Sequence, residues 1–443
     1  MFSNLFFFEP DRDEVNARIP VRGYSLIGLL IPSVDEAPNT HVVRLGHARE
    51  KKELKNWSED WQRRFAQSQQ IISFVDSSLQ SYWKALRSLD DAPRNAIRAA
   101  VSNGAVARPF EWTNSVRSEF ENLHIPSRSW HGEITPTARR RWEYALAQQF
   151  QQHHLPTRLL APRRRIRGTV ALQNYVRALE RRKTPGAIEI TLEGSTGGVA
   201  TIVIDAAAGE CPEFHSLIRE CPSNSFYFVI PQYRDEQRWS LHYEMHHGQE
   251  LFLGMSEKRH RAMPDGRSLH YGSIMGRVIP SIRSQDRNVA QRLSERLLEE
   301  PRRKHWTGNA GFVWRSSPRA KVPELLYRIV RDESETIPHT ILQWIEKTTG
   351  RKRMALHRRM YFRGLDWEDV RRRLGEGRLF SRSQSEGVLL HLPYFSSRQE
   401  AQKGKRGVKT ILLMCVGRSL QALEKMSAQT QRRLNAWGPG ERS

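Results

Sequence analysis

Cysteine is scarce in this chain: only Cys211, Cys221 and Cys415 occur in 443 residues. Three thiols cannot build a disulfide framework, and none sits in a C-x-x-C pair, which excludes a structural zinc site of thiolates. A reducing, cytoplasmic setting is the expectation. Long apolar runs are missing as well. No stretch approaches the roughly 20 residues that span a bilayer. The apolar opening at residues 1–10 is short and lacks the leading positive charge of a signal peptide. A soluble protein with no membrane partner is therefore expected. The glycine loops that cradle phosphates are absent too, with no G-x-x-x-x-G-K-[ST] segment and no G-x-G-x-x-G after a strand. No repeat and no low-complexity tract appears.

Negative charge is also in short supply. Lys and Arg number 71 against 48 Asp and Glu, a formal charge of +23. An excess of that size opposes compaction unless something anionic neutralises it. Arginine dominates, and its planar guanidinium forks onto phosphate and stacks on bases, so the expected partner is nucleic acid, DNA or RNA. Other protein subunits of a nucleic-acid-processing, defence or mobile-element assembly are expected beside it. A structural RNA-bound protein of a ribosome-like or virion-like particle is an alternative of the same chemistry.

Two basic blocks carry that expectation. The first holds Arg163, Arg164, Arg165 and Arg167, followed on a helix by Arg181 and Arg182. The second holds Arg351, Lys352, Arg353, Arg358, Arg359, Arg371, Arg372 and Arg373, with Trp306, Tyr361 and Trp367 as candidate stacking partners for bases. Lys405 and Arg406 tip a loop between two strands, an arrangement compatible with a winged helix whose loop lies on a phosphate backbone.

The 12 Trp and 17 Phe supply real cores. Residues 187–255 insist on β structure, in short β-branched or aromatic runs closed by turn residues. Trp239, Leu241, Tyr243 and Met245 alternate with polar residues, the period of a strand with one buried face. Residues 41–103, by contrast, place Trp57, Trp61, Phe65, Ile71, Ile72, Phe74 and Val75 at three- and four-residue spacings that read as helix. Residues 24–32 read as a buried strand stopped by Pro32. The fold class expected is α/β (or α+β): a helical N-terminal region, a central mixed sheet, and basic C-terminal helices with a β-hairpin. The expected divisions are residues 1–155, 156–285 and 286–434, with a disordered tail at 435–443.

Chemistry is harder to read. Glu189 and Asp205 lie near strand ends, where two carboxylates would hold the Mg²⁺ of a nuclease. The E-x-K partner of that pattern is missing from the next strand. A Mg²⁺-dependent nuclease is therefore an alternative, and without it no cofactor is expected. His242, Glu244 and His246 share one face of their strand, a row that reads as a polar sheet face, with a metal row as the other reading.

Overall fold

The computed structural model describes most of residues 149–436, apart from residues 193–200, 263–267, 304–307, 318–320, 330–335 and 395–407 and a few single positions. Within the first 148 residues it describes four strands and scattered helical positions. Three sheets organise these residues, each with its own residue pattern.

The first is a parallel sheet of β1 (Asn4–Phe7), β2 (Asn39–Gly46), β3 (Ser68–Val75) and β4 (Val106–Pro109), in the order β3-β2-β1-β4. Residues 71–75, expected in a helix, are a strand. Ile71, Ile72, Phe74 and Val75, interrupted only by Ser73, form the largely apolar run that parallel strands favour, and their spacing suits a helix equally well. The strand expected at 24–32 lies outside the described residues.

The second sheet is small and antiparallel. Its strands are β5 (Arg164–Arg167), β6 (Ala187–Leu192), β7 (Thr201–Asp205) and β8 (Phe226–Gln232), in the order β5-β8-β6-β7. Two helices, α1 (Thr169–Arg181) and α2 (Pro212–Glu220), follow β5 and β7. Ile166, Ile188, Ile190, Ile204, Tyr227 and Val229 alternate along the strands and pack on Leu172 and Val176 of α1 and Phe214 and Leu217 of α2. One face of the sheet is thereby covered by helices, and the other is left to meet something else.

The third sheet has eight strands in the order β13-β12-β9-β10-β11-β14-β16-β15. In chain order, β9 (Gln237–His246), β10 (Gln249–Ala262) and β11 (Ser268–Gly276) precede α3 (Ser284–Leu297) and α4 (Glu299–Arg303). Then come β12 (Gly308–Ser316), β13 (Glu324–Ile329), α5 (Thr336–Thr349), β14 (Met354–Arg363) and α6 (Trp367–Leu374). The hairpin expected near the C-terminus follows, as β15 (Gly387–Tyr394) and β16 (Val408–Gly417), and α7 (Leu420–Leu434) closes the fold. This sheet takes strands from both sides of residue 285.

The alternation read in β9 holds. Trp239, Leu241, Tyr243 and Met245 are buried in the main core with Leu293 and Leu297 of α3. Trp239 stacks on Trp314 of β12, and its indole N–H donates to Ser316 Oγ at 3.0 Å, so the buried polar tip is satisfied. The mixed α/β architecture expected from the sequence is present. No helix among the described residues is long and apolar enough to cross a membrane.

Candidate functional site

The bare face of the small sheet turns toward the β13-β12-β9 end of the large one. Ile230 of β8 packs with Ala161, Val313 of β12 and Leu326 of β13 in a small buried cluster. Strand register then fixes what else shares that face. Ile230 stands opposite Glu189, and Phe228 stands between Arg165 and Thr191. Phe226 stands opposite Arg167. On the facing side, Val313 pairs with Ser240, Arg315 with Arg238, and Gly311 with His242.

At the deep end of this junction, charges close on one another. The Glu189 carboxylate accepts from Arg238 Nη1, from Gln232 Nε2 at 3.1 Å and from Thr191 Oγ1 at 3.4 Å. Arg238 also donates to Glu236. Arg315, 1% exposed, donates to Glu324 at 2.7 Å, to Glu236 at 3.3 Å and to the carbonyl of Pro231, and its guanidinium lies 4.1 Å from the centre of the Tyr233 ring. Burial by itself would lower the pKa of Arg238, but Glu189 and Glu236 beside it raise the balance above the ordinary arginine value. Every charge in this group is met by an opposite one, the condition for keeping it buried.

Toward the open end the small sheet is cationic and aromatic. The Arg165 guanidinium lies 3.5 Å from the centre of the Phe226 ring, and that of Arg167 lies 5.5 Å from it. On the large sheet, buried His242 shares a 2.8 Å hydrogen bond with Ser256 Oγ, and its ring centre is 4.7 Å from that of His339 on α5.

The other residues singled out from the sequence are dispersed. Arg163 reaches the Leu325 carbonyl at 3.4 Å, tying the approach to β5 onto β13. Arg164 lies on the helix-covered face, 4.9 Å over the Tyr175 ring. Arg181 donates to Arg177 O within α1, and exposed Arg182 caps that helix. Asp205 accepts from the Ala207 backbone N–H at 2.9 Å and stabilises the turn after β7. In the second block, Arg351 donates to the carbonyls of Ser383 and Gln384 at 3.1 Å, while Arg353 donates to Ser385 O and pairs with Glu386. Arg358 donates to Ser427 Oγ of α7, Arg371 pairs with Asp60, Glu368 and Glu376, and Arg372 pairs with Asp369. Lys352 and Arg373 are exposed, and Arg359 and half-buried Tyr361 lie on β14. Trp367 begins α6. Trp306, Lys405 and Arg406 lie outside the described residues. Glu244 and His246 stay on β9 with His242, and no group of three His, Cys, Asp or Glu among the described residues is placed to hold a metal.

The two basic blocks do not merge. The strands β9, β10 and β11 stand between β12, beside the first block, and β14, which carries part of the second. What sequence reasoning missed is the cluster of Arg238, Glu236, Arg315 and Glu324. No motif marks it, because these positions meet only when two sheets pack.

No family model matches the chain, and no curated protein does. Solved structures do. The biotin carboxylase of Campylobacter jejuni, in its β,γ-ATP complex, is 12% identical, with 90% of this chain and 87% of that one covered and a TM-score of 0.53. The phosphoribosylamine–glycine ligase of Thermotoga maritima is 12% identical over 99% of this chain and 98% of that one, at 0.53. The biotin carboxylase domain of the Hydrogenobacter thermophilus 2-oxoglutarate carboxylase, with MgADP, ADP and bicarbonate, is 8% identical over 99% and 91%, at 0.54. These neighbours are metabolic enzymes, and they overturn the expectation of a DNA- or RNA-binding protein, with its nuclease and particle alternatives and its nucleic-acid-processing subunits. The physical reason accompanies the likeness: arginines counted as a phosphate surface are largely occupied with carboxylates, carbonyls and rings of the same chain. The fold of this chain resembles that of these carboxylase and ligase structures.

Proposed function

We propose that this chain is an ATP-dependent ligase or carboxylase that holds its nucleotide between the small sheet and the β13-β12-β9 end of the large one. The observation that carries this reading is the pairing of those two antiparallel sheets, face to face, in an architecture aligned along nearly the whole chain with enzymes solved in ATP or ADP complexes. The chemistry of the facing residues agrees. Phe228, flanked by Arg165 and Thr191, offers an aromatic surface to a base, and Arg165 and Arg167 offer forked donors to phosphate.

One neighbour carries its nucleotide as MgADP. Three carboxylates of this junction are not available to that ion. Mg²⁺ is held by one or two carboxylates besides phosphate and water, and Glu189, Glu236 and Glu324 at this junction are each committed to an arginine.

Differential scanning with ATP, ADP and GTP tests the nucleotide reading, since a ligand that binds only the folded state raises the melting temperature. Stabilisation by the adenine nucleotides is expected. The ligase reading is tested by ADP release from ATP on addition of bicarbonate or a carboxylic acid with an amine acceptor. A melting temperature indifferent to every nucleotide would overturn both.

A further inference from the structure

We infer that the molecule carries a separate anion site at the β14-β16-β15 end of the large sheet, where Arg351 and Arg382 grip the phosphate group of a small ligand beside the turn of residues 381–386.

Strand order builds the cluster. Arg351 and Arg353 lead into β14, residues 381–386 lead into β15, and Arg418 follows β16, so three neighbouring strands deliver arginines to one end of the sheet. Arg351 donates Nη1 to the carbonyls of Ser383 and Gln384, each at 3.1 Å, and Arg353 donates to Ser385 O at 3.0 Å. Carbonyls accept hydrogen bonds but cancel no charge. The carboxylate paired here is Glu386, shared by Arg353 at 3.4 Å and Arg418. Exposed Arg382 adds a fourth guanidinium, 5.7 Å from the centre of the Trp344 ring on α5 and without a carboxylate partner among the described residues. Four guanidinium groups thus gather around one carboxylate. Burial, with Arg418 and Arg351 nearby, holds Arg353 below the ordinary arginine value although Glu386 opposes the shift. Such an excess is relieved by an anion.

An open depression of about 540 Å³ lies beside the cluster, lined by Thr348, Thr349, Arg351, Arg382 and Ser383. Its donors are in place. Arg351 engages the turn through Nη1 and leaves Nε and Nη2 for a ligand. The Ser381 and Ser383 hydroxyls share a 2.8 Å hydrogen bond, and when Ser381 donates, Ser383 keeps its own proton for the depression. Thr348 and Thr349 donate instead to Trp344 O and Ile345 O and contribute no donor. The C-terminus of α5 opposes an anion, but with only about half an elementary charge. Glu346 on that helix is paired with Arg277. The surplus of guanidinium groups outweighs the helix end. A guanidinium fork also fits a carboxylate, but a surplus of this size favours the doubly charged phosphate.

Calorimetric titration of the full chain with inorganic phosphate and with glycerol 3-phosphate tests the inference, at constant ionic strength and mildly alkaline pH, where both are dianions. Acetate serves as the singly charged probe. Saturable phosphate binding is expected, with acetate weaker by about tenfold or more. Arg351→Ala and Arg382→Ala are each expected to weaken phosphate roughly ten- to hundredfold, the loss of a charge-assisted contact. Arg351→Ala also loosens the turn, whereas exposed Arg382 touches only the Trp344 ring, so Arg382→Ala reads the site without disturbing the fold. Arg181→Ala, on α1, should leave phosphate binding unchanged. An ester that binds more tightly than free phosphate assigns the site to a phosphorylated metabolite, and the reverse order assigns it to the free ion. Phosphate binding that survives in both Arg351→Ala and Arg382→Ala belongs elsewhere on the molecule and overturns the inference. Equal affinity for acetate and phosphate, or no saturable binding, overturns it as well.

Discussion

Glu189 of β6 and Arg238 of β9 form an ion pair that joins the small sheet to the large one, with side chains only 8% and 13% exposed. Both partners sit where water is largely excluded, so removing one leaves the other charged and poorly solvated. Glu189→Ala is expected to destabilise the protein by about 3 kcal/mol, the low end of the range for breaking a buried pair, because Glu236 still faces Arg238. Glu189→Gln keeps a hydrogen-bond acceptor and should cost less. Urea unfolding followed by circular dichroism measures both, and an unchanged midpoint in Glu189→Ala would refute the role given to the pair.

Arg315 extends the same argument to geometry. Its guanidinium meets Glu324, Glu236 and the Pro231 carbonyl together, over the Tyr233 ring. A lysine ammonium carries the charge but not the planar fork, and cannot reach three acceptors spread around one plane. Arg315→Lys is therefore expected to lose about 1–3 kcal/mol in the same unfolding experiment, and Arg315→Ala more. Equal stability of the lysine variant and the parent would show that charge alone suffices.

How much of this was legible in the chain depends on distance along it. The two-residue alternation of Trp239, Leu241, Tyr243 and Met245 announces β9, since one buried face imposes that period whatever lies across from it. The acids and arginines of α6 likewise announce a helix with its dipole matched. Ile71, Ile72, Phe74 and Val75 suit either a helix or a parallel strand, and only pairing with β2 decides. The candidate site lies beyond such signals. Glu189, Arg238, Arg315 and Glu324 come from four strands of two sheets, and nothing near Arg315 in sequence distinguishes it from the other arginines. The positive excess was legible as a number, but its meaning was not, because whether an arginine faces a carboxylate is settled by packing.

Gly254, on β10 opposite His242, tests how closely that strand packs against α5 and β11. Its φ is +146°, and a Cβ added there would lie 2.8 Å from His339 Nδ1 and 2.9 Å from the Gly276 carbonyl oxygen. The histidine and the backbone of β11 therefore approach β10 at this point as no other residue would allow. Gly254→Ala is expected to cost about 2–4 kcal/mol through backbone strain and overpacking. Gly377→Ala, with nothing within 4 Å, should stay within about 0.5 kcal/mol of the parent. Thermal melts of the two variants compare them directly, and similar melting temperatures would remove the reason for the glycine.

A pH dependence follows from the contact between the N-terminal region and the body of the large sheet. Asp60 accepts two hydrogen bonds from Arg64 and faces Arg371, and Glu376 meets both arginines, Arg371 at 2.7 Å and Arg64 at 3.2 Å. The hydrogen bond from Arg371 holds the Glu376 carboxyl below the ordinary glutamate range, partial burial opposes this, and Arg64 adds to the lowering. A carboxylate whose folded pKa is depressed binds protons more weakly when folded. Its stabilising contribution is present above the ordinary glutamate range and is lost as the pH falls through the depressed value. Glu376→Gln should therefore be less stable than the parent at neutral pH, and the gap should close on acidification below that range. The glutamate is well exposed, so the difference is modest and is expected to shrink with added salt. Unfolding midpoints of the pair across an acid titration check it. A gap that stays constant with pH would mean that Glu376 contributes through packing and not through its charge.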